Sequence, residues 1–221
     1  MLTRLLILAL GLSLGACASV NVNKVQTLTP QAPSGTPLKI YLKPFTFYDP
    51  AVRVDRSGKS LEEFKFELQE KFTRHLAAEL KQTVAPVKVI AATAPVPRGP
   101  YWLITGRFDR VYQGSRLLRS VVGFGLGSTK FDTSVVVWDL SPKEPRPFLL
   151  VETKGGSFLP RGTVNKIGYF VSSATGLTSA AALVGGVREG LTFDTIRTSR
   201  EVSASFSEYL WSRSGTVPPK R

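Results

Sequence analysis

The sequence has few cysteines, histidines and acidic residues, and each shortage excludes a class of protein. Its one cysteine, Cys17, allows no intramolecular disulfide and no cysteine-based metal cluster. Its one histidine, His75, falls in the middle of a predicted helix, where we expect a solvated or core-edge side chain rather than the base of a serine triad. The acidic residues do not follow the alternating pattern of a calcium-binding loop. We therefore predict a non-catalytic protein without metal or cofactor, stabilised by a hydrophobic core.

The amino terminus has the layout of an export signal. Arg4 precedes the apolar run 5–12, which is too short to span a bilayer, and small residues follow it. The sequence Leu14-Gly15-Ala16-Cys17 resembles a bacterial lipobox, which implies cleavage before Cys17 and acylation of that residue with fatty-acid chains such as palmitate. Three such chains exceed the two signals that stable membrane anchoring requires. The alternative is a signal peptide that is cut elsewhere and leaves the cysteine without lipid.

The residues after the cysteine predict where the anchored protein is sorted. Ala18 and Ser19 stand where an aspartate would retain a Gram-negative lipoprotein at the inner membrane. By resemblance to those sorting rules, we expect a lipid-anchored protein of the outer membrane that faces the periplasm. Cleavage would remove 16 residues and one cation, and would leave 205 residues with a net charge of +12.

The positive charge of the chain suggests an anionic partner. Export excludes nucleic acid, so lipid headgroups, lipopolysaccharide phosphates or acidic protein patches remain as candidates. The alternative is that the charge only keeps the protein soluble. Arg107, Arg110, Arg116, Arg119 and Lys130 concentrate it on one part of the chain.

The chain divides into four parts. Residues 1–16 are the signal peptide, 17–37 a lipidated flexible tether, 38–213 a single α/β domain and 214–221 a disordered tail. The tether prediction rests on the polar, proline-containing composition of residues 18–37, whose expected reach is roughly 25 Å.

Periodicity within 38–213 predicts five strands and two helices. Alternation predicts a first strand over 38–45, with Pro44 at an edge or a strand end, and a short strand over 87–90. The runs 101–113, 131–140 and 148–153 predict an antiparallel three-strand meander. A long helix begins at a capping box formed by Ser60 and Glu63, and its apolar face contains Leu61, Phe64, Leu68, Phe72, Leu76 and Leu80. A carboxy-terminal helix over 198–212 begins at a second capping box, Thr198 with Glu201, and presents Val202, Phe206, Tyr209 and Leu210.

A glycine-rich apolar loop between the first two meander strands is the candidate partner-contact site. Its glycine spacing fits neither a dinucleotide-binding turn nor a Walker loop, so we interpret it structurally. Either it folds back onto the domain, or it is presented to a partner. The residues assigned to this contact are Arg116, Leu117, Leu118, Arg119, Val122, Gly123, Phe124, Gly125, Leu126 and Gly127.

A second unusual segment, 167–187, has no charged residue over 21 positions. It is long enough to span a membrane but is rich in glycine and serine. Ala182, Gly186 and Gly190 recur at the four-residue spacing that allows close backbone approach. Three readings stay open: packing on the domain, self-association, or contact with the membrane.

Asp109 and Asp132, on successive predicted strands, are a possible acid–base pair. Arg107 and Arg110 beside them favour ordinary ion pairing instead. A hydrolase of cell-wall sugars is therefore a minor alternative.

The residues 101–108, 114–116, 122–128 and 155–157 resemble those of the bacterial lipoprotein family called domain of unknown function 4410. The order of elements is more distantly similar to the amino-terminal domain of TolB and to curli-secretion-type lipoproteins, although two long amphipathic pore strands are missing. The resemblance implies an α/β (α+β) fold, in which a mixed sheet with the meander packs against the long helix after strand 1 and the carboxy-terminal helix. It also implies protein contacts in the cell envelope. We expect a binding or scaffold module, or alternatively a self-assembling subunit of a secretion or pore complex.

Overall fold

The computed structural model describes residues 19–33, 35–114, 129–156 and 189–214. Cys17, the loop 116–127 and the segment 167–187 therefore lie outside the described residues. The strands are β1 (Ser19–Thr27), β2 (Lys39–Leu42), β3 (Thr46–Phe47), β4 (Val52–Arg53), β5 (Val87–Val89), β6 (Tyr101–Tyr112), β7 (Lys130–Asp139) and β8 (Arg146–Gly156). The α-helices are α1 (Gly58–Thr83) and α2 (Glu189–Ser214), and a short 3₁₀ turn spans Asp49–Ala51.

The described strands form one mixed eight-stranded sheet. The order along its main path is β1-β8-β7-β6-β2-β5, and β3 and β4 pair with β6 beyond the end of β2. β6, β7 and β8 form the predicted antiparallel meander, whereas β2 runs parallel to both β5 and β6. The predicted α/β (α+β) fold with a mixed sheet is confirmed. β2 lies between two neighbours, so it is not an edge strand, and Pro44 follows its end.

Helix α1 forms where the apolar spacing predicts it. Five of the six predicted face residues are buried, and Leu61 packs against the core from a partly buried position. The predicted capping box is wrong. The helix has Ser57 at its N-cap, and the Ser60 hydroxyl donates to the Ser57 carbonyl oxygen at 3.0 Å instead of capping a backbone amide. The ion pairs Lys71–Glu67 (3.9 Å) and Arg74–Glu70 (4.0 Å) lie outside the buried face, as predicted.

Helix α2 begins nine residues before its predicted start. Thr198 is fully buried inside the helix, so it caps nothing. The helix tolerates its many hydroxyl residues because they bond to the preceding turn: Ser199 donates to the Thr195 carbonyl at 2.7 Å, and Ser205 donates to the Glu201 carbonyl at 2.9 Å. The predicted core residues Val202, Phe206, Tyr209 and Leu210 are all buried.

The prediction of a flexible tether over 17–37 is wrong for residues 19–27, which form β1. This strand pairs antiparallel with β8, from Ser19 opposite Gly156 to Thr27 opposite Leu149. The pairing satisfies backbone groups that an unpaired β8 edge would expose. A bulge between Val22 and Lys24 breaks the alternation that would have indicated a strand.

The chain after β1 is also held on the domain. The Leu28 amide donates to the Phe148 carbonyl at 2.8 Å, and the Tyr209 hydroxyl donates to the Pro33 carbonyl at 2.6 Å. Ala32 is buried in the core. The ordered domain thus begins before residue 38.

Both helices cover the same face of the sheet and enclose an aromatic core. The ring of Phe72 on α1 lies 4.9 Å from that of Phe45 and 5.2 Å from that of Phe108, measured between centroids. A β-carbon at position 106 would collide with the Phe45 ring, so this strand position requires glycine. No helix within the described ranges is long and apolar enough to cross a membrane.

Replacing Phe72 with alanine should lower the free energy of unfolding by about 3–5 kcal/mol, because the side chain is fully buried among other rings. The matched control is Phe66→Ala on the same helix. Phe66 is 65% exposed, and its loss should change stability by less than about 0.5 kcal/mol. Chemical denaturation of the two variants measures the difference. Equal losses would contradict the arrangement of α1.

Candidate binding face

The sheet has one face covered by helices and one that no described helix covers. Strand burial alternates accordingly: on β7, Phe131, Val135 and Val137 are fully buried, whereas their neighbours are only partly buried or exposed. We call the uncovered side the open face. Its residues, by register, are Asn21, Lys24, Gln26, Tyr41, Arg53, Leu103, Thr105, Arg107, Arg110, Tyr112, Lys130, Asp132, Ser134, Val136, Trp138, Leu150, Glu152 and Lys154.

Charges of opposite sign face one another across the strands at one end of the open face. Arg110 lies opposite Asp132, which in turn lies opposite Lys154. The Arg110 Nε and Asp132 Oδ2 atoms are 3.4 Å apart. Such cross-strand pairs stabilise a sheet and fix its register.

A bulge on β6 brings a further carboxylate, that of Asp109, to the open face. The register shifts between Phe108 and Arg110, so Asp109 is the extra residue on its strand. Its Oδ1 accepts a hydrogen bond from Arg107 Nε at 2.7 Å, and its Oδ2 accepts one from the Ser134 hydroxyl. The backbone irregularity therefore turns Asp109 towards the neighbouring strand.

Asp109 and Asp132 are both used in ion pairs. Asp109 pairs with Arg107, and Asp132 pairs with Arg110, so the expectation of ordinary ion pairing is confirmed. Burial raises the pKa of Asp132, and the nearby charge of Arg110 opposes that rise.

The open face becomes apolar towards its other end. Tyr41, Leu103 and Leu140 form a small buried cluster on this side of the sheet. Ile90 and Val96, from the chain that follows β5, pack against it together with Tyr101 and Trp138. The indole Nε1 of Trp138 donates to the Thr105 hydroxyl at 3.1 Å. The row Thr105, Val136 and Leu150 is half-buried and joins the charged end to the apolar one.

A buried hydrogen bond joins the beginning of α2 to the beginning of β7. Asp194 is 1% exposed, and its Oδ2 accepts a hydrogen bond from the Thr129 hydroxyl at 2.7 Å. Burial raises the pKa of Asp194, whereas the Thr129 hydrogen bond and the charge of Arg197 act in the opposite direction. Sequence patterns gave no signal for this pair, because its members are 65 positions apart.

His75 occupies a half-buried position on α1. Burial lowers the pKa of its imidazole, as do the positive charges of Arg74 and Arg200. Arg200 also bridges the two helices, with its Nε 3.2 Å from Glu79 Oε1. The position agrees with the predicted core-edge histidine.

No group of three or more potential metal ligands occurs within the described part of the chain. The absence of a metal from the whole protein stays a prediction. Of the five basic residues that concentrate positive charge in the sequence, Arg107, Arg110 and Lys130 lie on the open face, and Arg116 and Arg119 lie outside the described residues. The predicted contact loop, 116–127, also lies outside them.

The fold and its open sheet face define a two-layer α/β module with helices on one side. The family model described as Domain of unknown function (DUF4410) matches residues 27–182, and the chain belongs to that family. The resemblance of the sequence to this family is thereby confirmed. Comparison with curated proteins finds no match.

Two solved structures are similar to the chain at low identity. A PelC dodecamer from Paraburkholderia phytofirmans aligns with a TM-score of 0.46 at 10% identity, over 86% of this chain and 98% of that one. The hypothetical protein CT253 from Chlamydia trachomatis aligns with a TM-score of 0.41 at 11% identity, over 79% and 98%. Because both TM-scores are below 0.5, these likenesses assign neither function nor assembly to the chain.

Substituting Asp194 with asparagine tests the cost of its buried charge. The raised pKa means that the folded state binds the proton more tightly than the unfolded state. Protonation of Asp194 stabilises the folded state fully at pH values below 3.8, the ordinary pKa of an aspartate. This stabilisation is lost as the pH rises through the higher pKa that Asp194 has in the folded state. Asparagine keeps an acceptor for Thr129 without a charge, so Asp194→Asn should have a Tm equal to or above wild type at about pH 8, with a smaller difference at about pH 4.

The control is Asp194→Ala, which also removes the charge but leaves Thr129 without this acceptor, so it should be less stable than Asp194→Asn by about 1–3 kcal/mol at both pH values. Thermal unfolding followed by circular dichroism measures all three proteins. An asparagine variant clearly less stable than wild type at the higher pH would contradict this account of the buried pair.

Proposed function

We propose that the chain is a non-catalytic binding module of the Gram-negative cell envelope. In this proposal, acyl chains on Cys17 hold it at the outer membrane, and the domain faces the periplasm. The lipobox-like sequence supports the anchor, and the open face supports the binding role. The open face is the observation that carries the proposal.

The open face suits a protein partner better than a small molecule. It joins a charged end, with Arg107 and Arg110 exposed, to a half-buried row that contains Val136 and Leu150. A surface that combines apolar side chains with an exposed charged rim matches the composition of protein–protein interfaces. We therefore propose an envelope protein as the partner.

The alternative, a self-assembling subunit, is favoured by the edges of the sheet. β1 and β5 end the main strand path among the described strands, and they carry the exposed residues Val25 (50%) and Val89 (47%). Exposed edge strands can pair with other chains. A head-to-tail contact between two different edges is heterologous, and it closes into a ring if the rotation permits. A ring-sized particle in mild detergent would favour this reading, and a monomer would exclude it.

Replacing Cys17 with serine should abolish both acylation and lipoprotein-type processing, because the thiol is the attachment point. Cells labelled with a palmitate analogue should give a labelled wild-type protein and an unlabelled variant that keeps residues 1–16. Ala18→Ser is the matched control and should be labelled like wild type. Labelling of the Cys17→Ser protein, or an unlabelled wild type, would contradict the anchor.

A photo-crosslinking amino acid at Val136 should capture the partner of the open face in intact cells. The same group at Phe66, an exposed position on the helical layer, is the control. We expect a discrete adduct of higher mass from position 136 and none from position 66. No adduct at 136, or identical adducts from both positions, would contradict the assignment of the binding face.

A further inference from the structure

The first residues of β1 share one end of the sheet with the charged rows of the open face. Ser19 lies opposite Gly156 on β8, and Gly156 lies opposite Lys130 on β7. Lys130 in turn lies opposite Tyr112 on β6, and Tyr112 lies opposite Arg53 on β4. At this end of the sheet, the first residues of β1 and β7 lie beside the last residues of β6 and β8. We call it the anchor end.

The anchor end is close to Cys17 in the chain. Only Ala18 separates Cys17 from Ser19, the first residue of β1. Two residues span at most about 7 Å when fully extended. A flexible tether of twenty residues would have allowed roughly 25 Å and any orientation. If Cys17 is acylated, the pairing of β1 with β8 therefore brings the anchor end to the membrane surface.

Positive charge is concentrated at the same end. The two rows of the open face nearest Ser19 contain Arg53, Arg110, Lys130 and Lys154 and a single carboxylate, Asp132, which gives a net charge of +3. The next row balances Arg107 and Lys24 against Asp109 and Glu152. The rows beyond it carry no charge on β6, β7 or β8 until Asp139 and Arg146 at the opposite end.

We propose that the anchor end docks on the anionic headgroups of the bilayer that holds Cys17, with Arg53, Lys130 and Lys154 contacting lipid phosphates. The proposal rests on the proposed function in one respect, the acylation of Cys17. Basic side chains near an anionic surface are attracted over about one Debye length, which exceeds the span between Cys17 and β1. In the docked orientation, the strands of the sheet would extend away from the membrane. The apolar part of the open face would then be accessible to a periplasmic partner.

The orientation is tested with the acylated protein in vesicles that carry a spin label on their headgroups. A fluorescent probe is attached either at Asn21→Cys, at the anchor end, or at Lys143→Cys, in the turn at the opposite end. Acylation blocks the thiol of Cys17, so each protein has one labelling site. We expect strong quenching of the probe at position 21 and little at position 143.

Equal quenching at the two positions of an acylated protein would overturn the docked orientation while leaving the lipid anchor intact. A protein that carries no acyl chain would overturn the anchor itself, and with it both proposals. Mass spectrometry of the reconstituted protein distinguishes these two failures.

The contribution of the charges is tested with residues 17–221 carrying Cys17→Ser and produced without residues 1–16, so that neither a lipid nor the apolar signal contributes to binding. Vesicles of phosphatidylcholine, with or without phosphatidylglycerol, are sedimented with this protein at about 0.1 M salt, where the Debye length is about 10 Å. Replacing Arg53, Lys130 and Lys154 together with glutamine should lower partitioning onto the anionic vesicles on the order of a hundredfold. Partitioning onto phosphatidylcholine alone should be weak for every protein.

The matched control replaces Arg98, Lys143 and Arg146, at the opposite end, with glutamine. This triple variant has the same net charge as the triple variant of the anchor end. Its binding should stay within about twofold of the parent, since charges more than a Debye length from the membrane are screened. Equal losses in both triple variants would show attraction by net charge alone and would overturn the proposed site. Circular dichroism confirms that both variants are folded.

Discussion

The antiparallel pairing of β1 with β8 determines which end of the domain follows Cys17 in the chain. Without it, the lipobox-like sequence would be followed by a polar segment that fixes neither distance nor orientation. With it, residue 19 is the first position of a sheet that runs through the β6–β7–β8 meander to β2 and β5. The strand therefore links a chemical modification proposed at Cys17 to one end of a rigid body.

The two sides of that body have different tasks. The helical side contains the aromatic core, in which Phe72 packs on Phe45 and Phe108, and it supplies the stability that a chain without disulfides needs. The open face supplies little of that core. Its side chains change along the strands from a basic end to an apolar end. This gradient is the basis of the proposal that one face meets a membrane and a protein at different places.

The sequence predicts those elements that a local pattern specifies. α1 is correct because its period of three to four residues continues over the whole helix. The meander is correct because its strands are runs of aromatic, aliphatic and β-branched residues, which the bulge on β6 does not disguise. The sequence does not predict β1, because the bulge after Val22 interrupts its alternation. In addition, its stability comes from pairing with β8, more than about 120 positions away in the chain. The sequence does not predict the beginning of α2, because Thr198 and Glu201 have the spacing of a capping box although they lie inside the helix, where Thr198 is buried.

The candidate binding face shows the same difference between features that local sequence specifies and features that depend on long-range packing. The ion pair of Asp109 with Arg107 could be predicted because both residues are on β6, and that of Asp132 with Arg110 because the predicted meander makes β6 and β7 neighbours. The clustering of Arg53 and Lys154 with Lys130 could not, because it depends on the register of four strands. The Thr129–Asp194 bond is likewise a product of tertiary packing.

Amide hydrogen exchange of β1 in the acylated, membrane-bound protein tests the central claim most directly. The account predicts that the amides of residues 20–27 that bond to β8 exchange slowly, with protection comparable to that of β8 itself. Exchange of those amides at the rate of an unstructured chain would contradict it, because the domain would then hang from the membrane on a flexible tether.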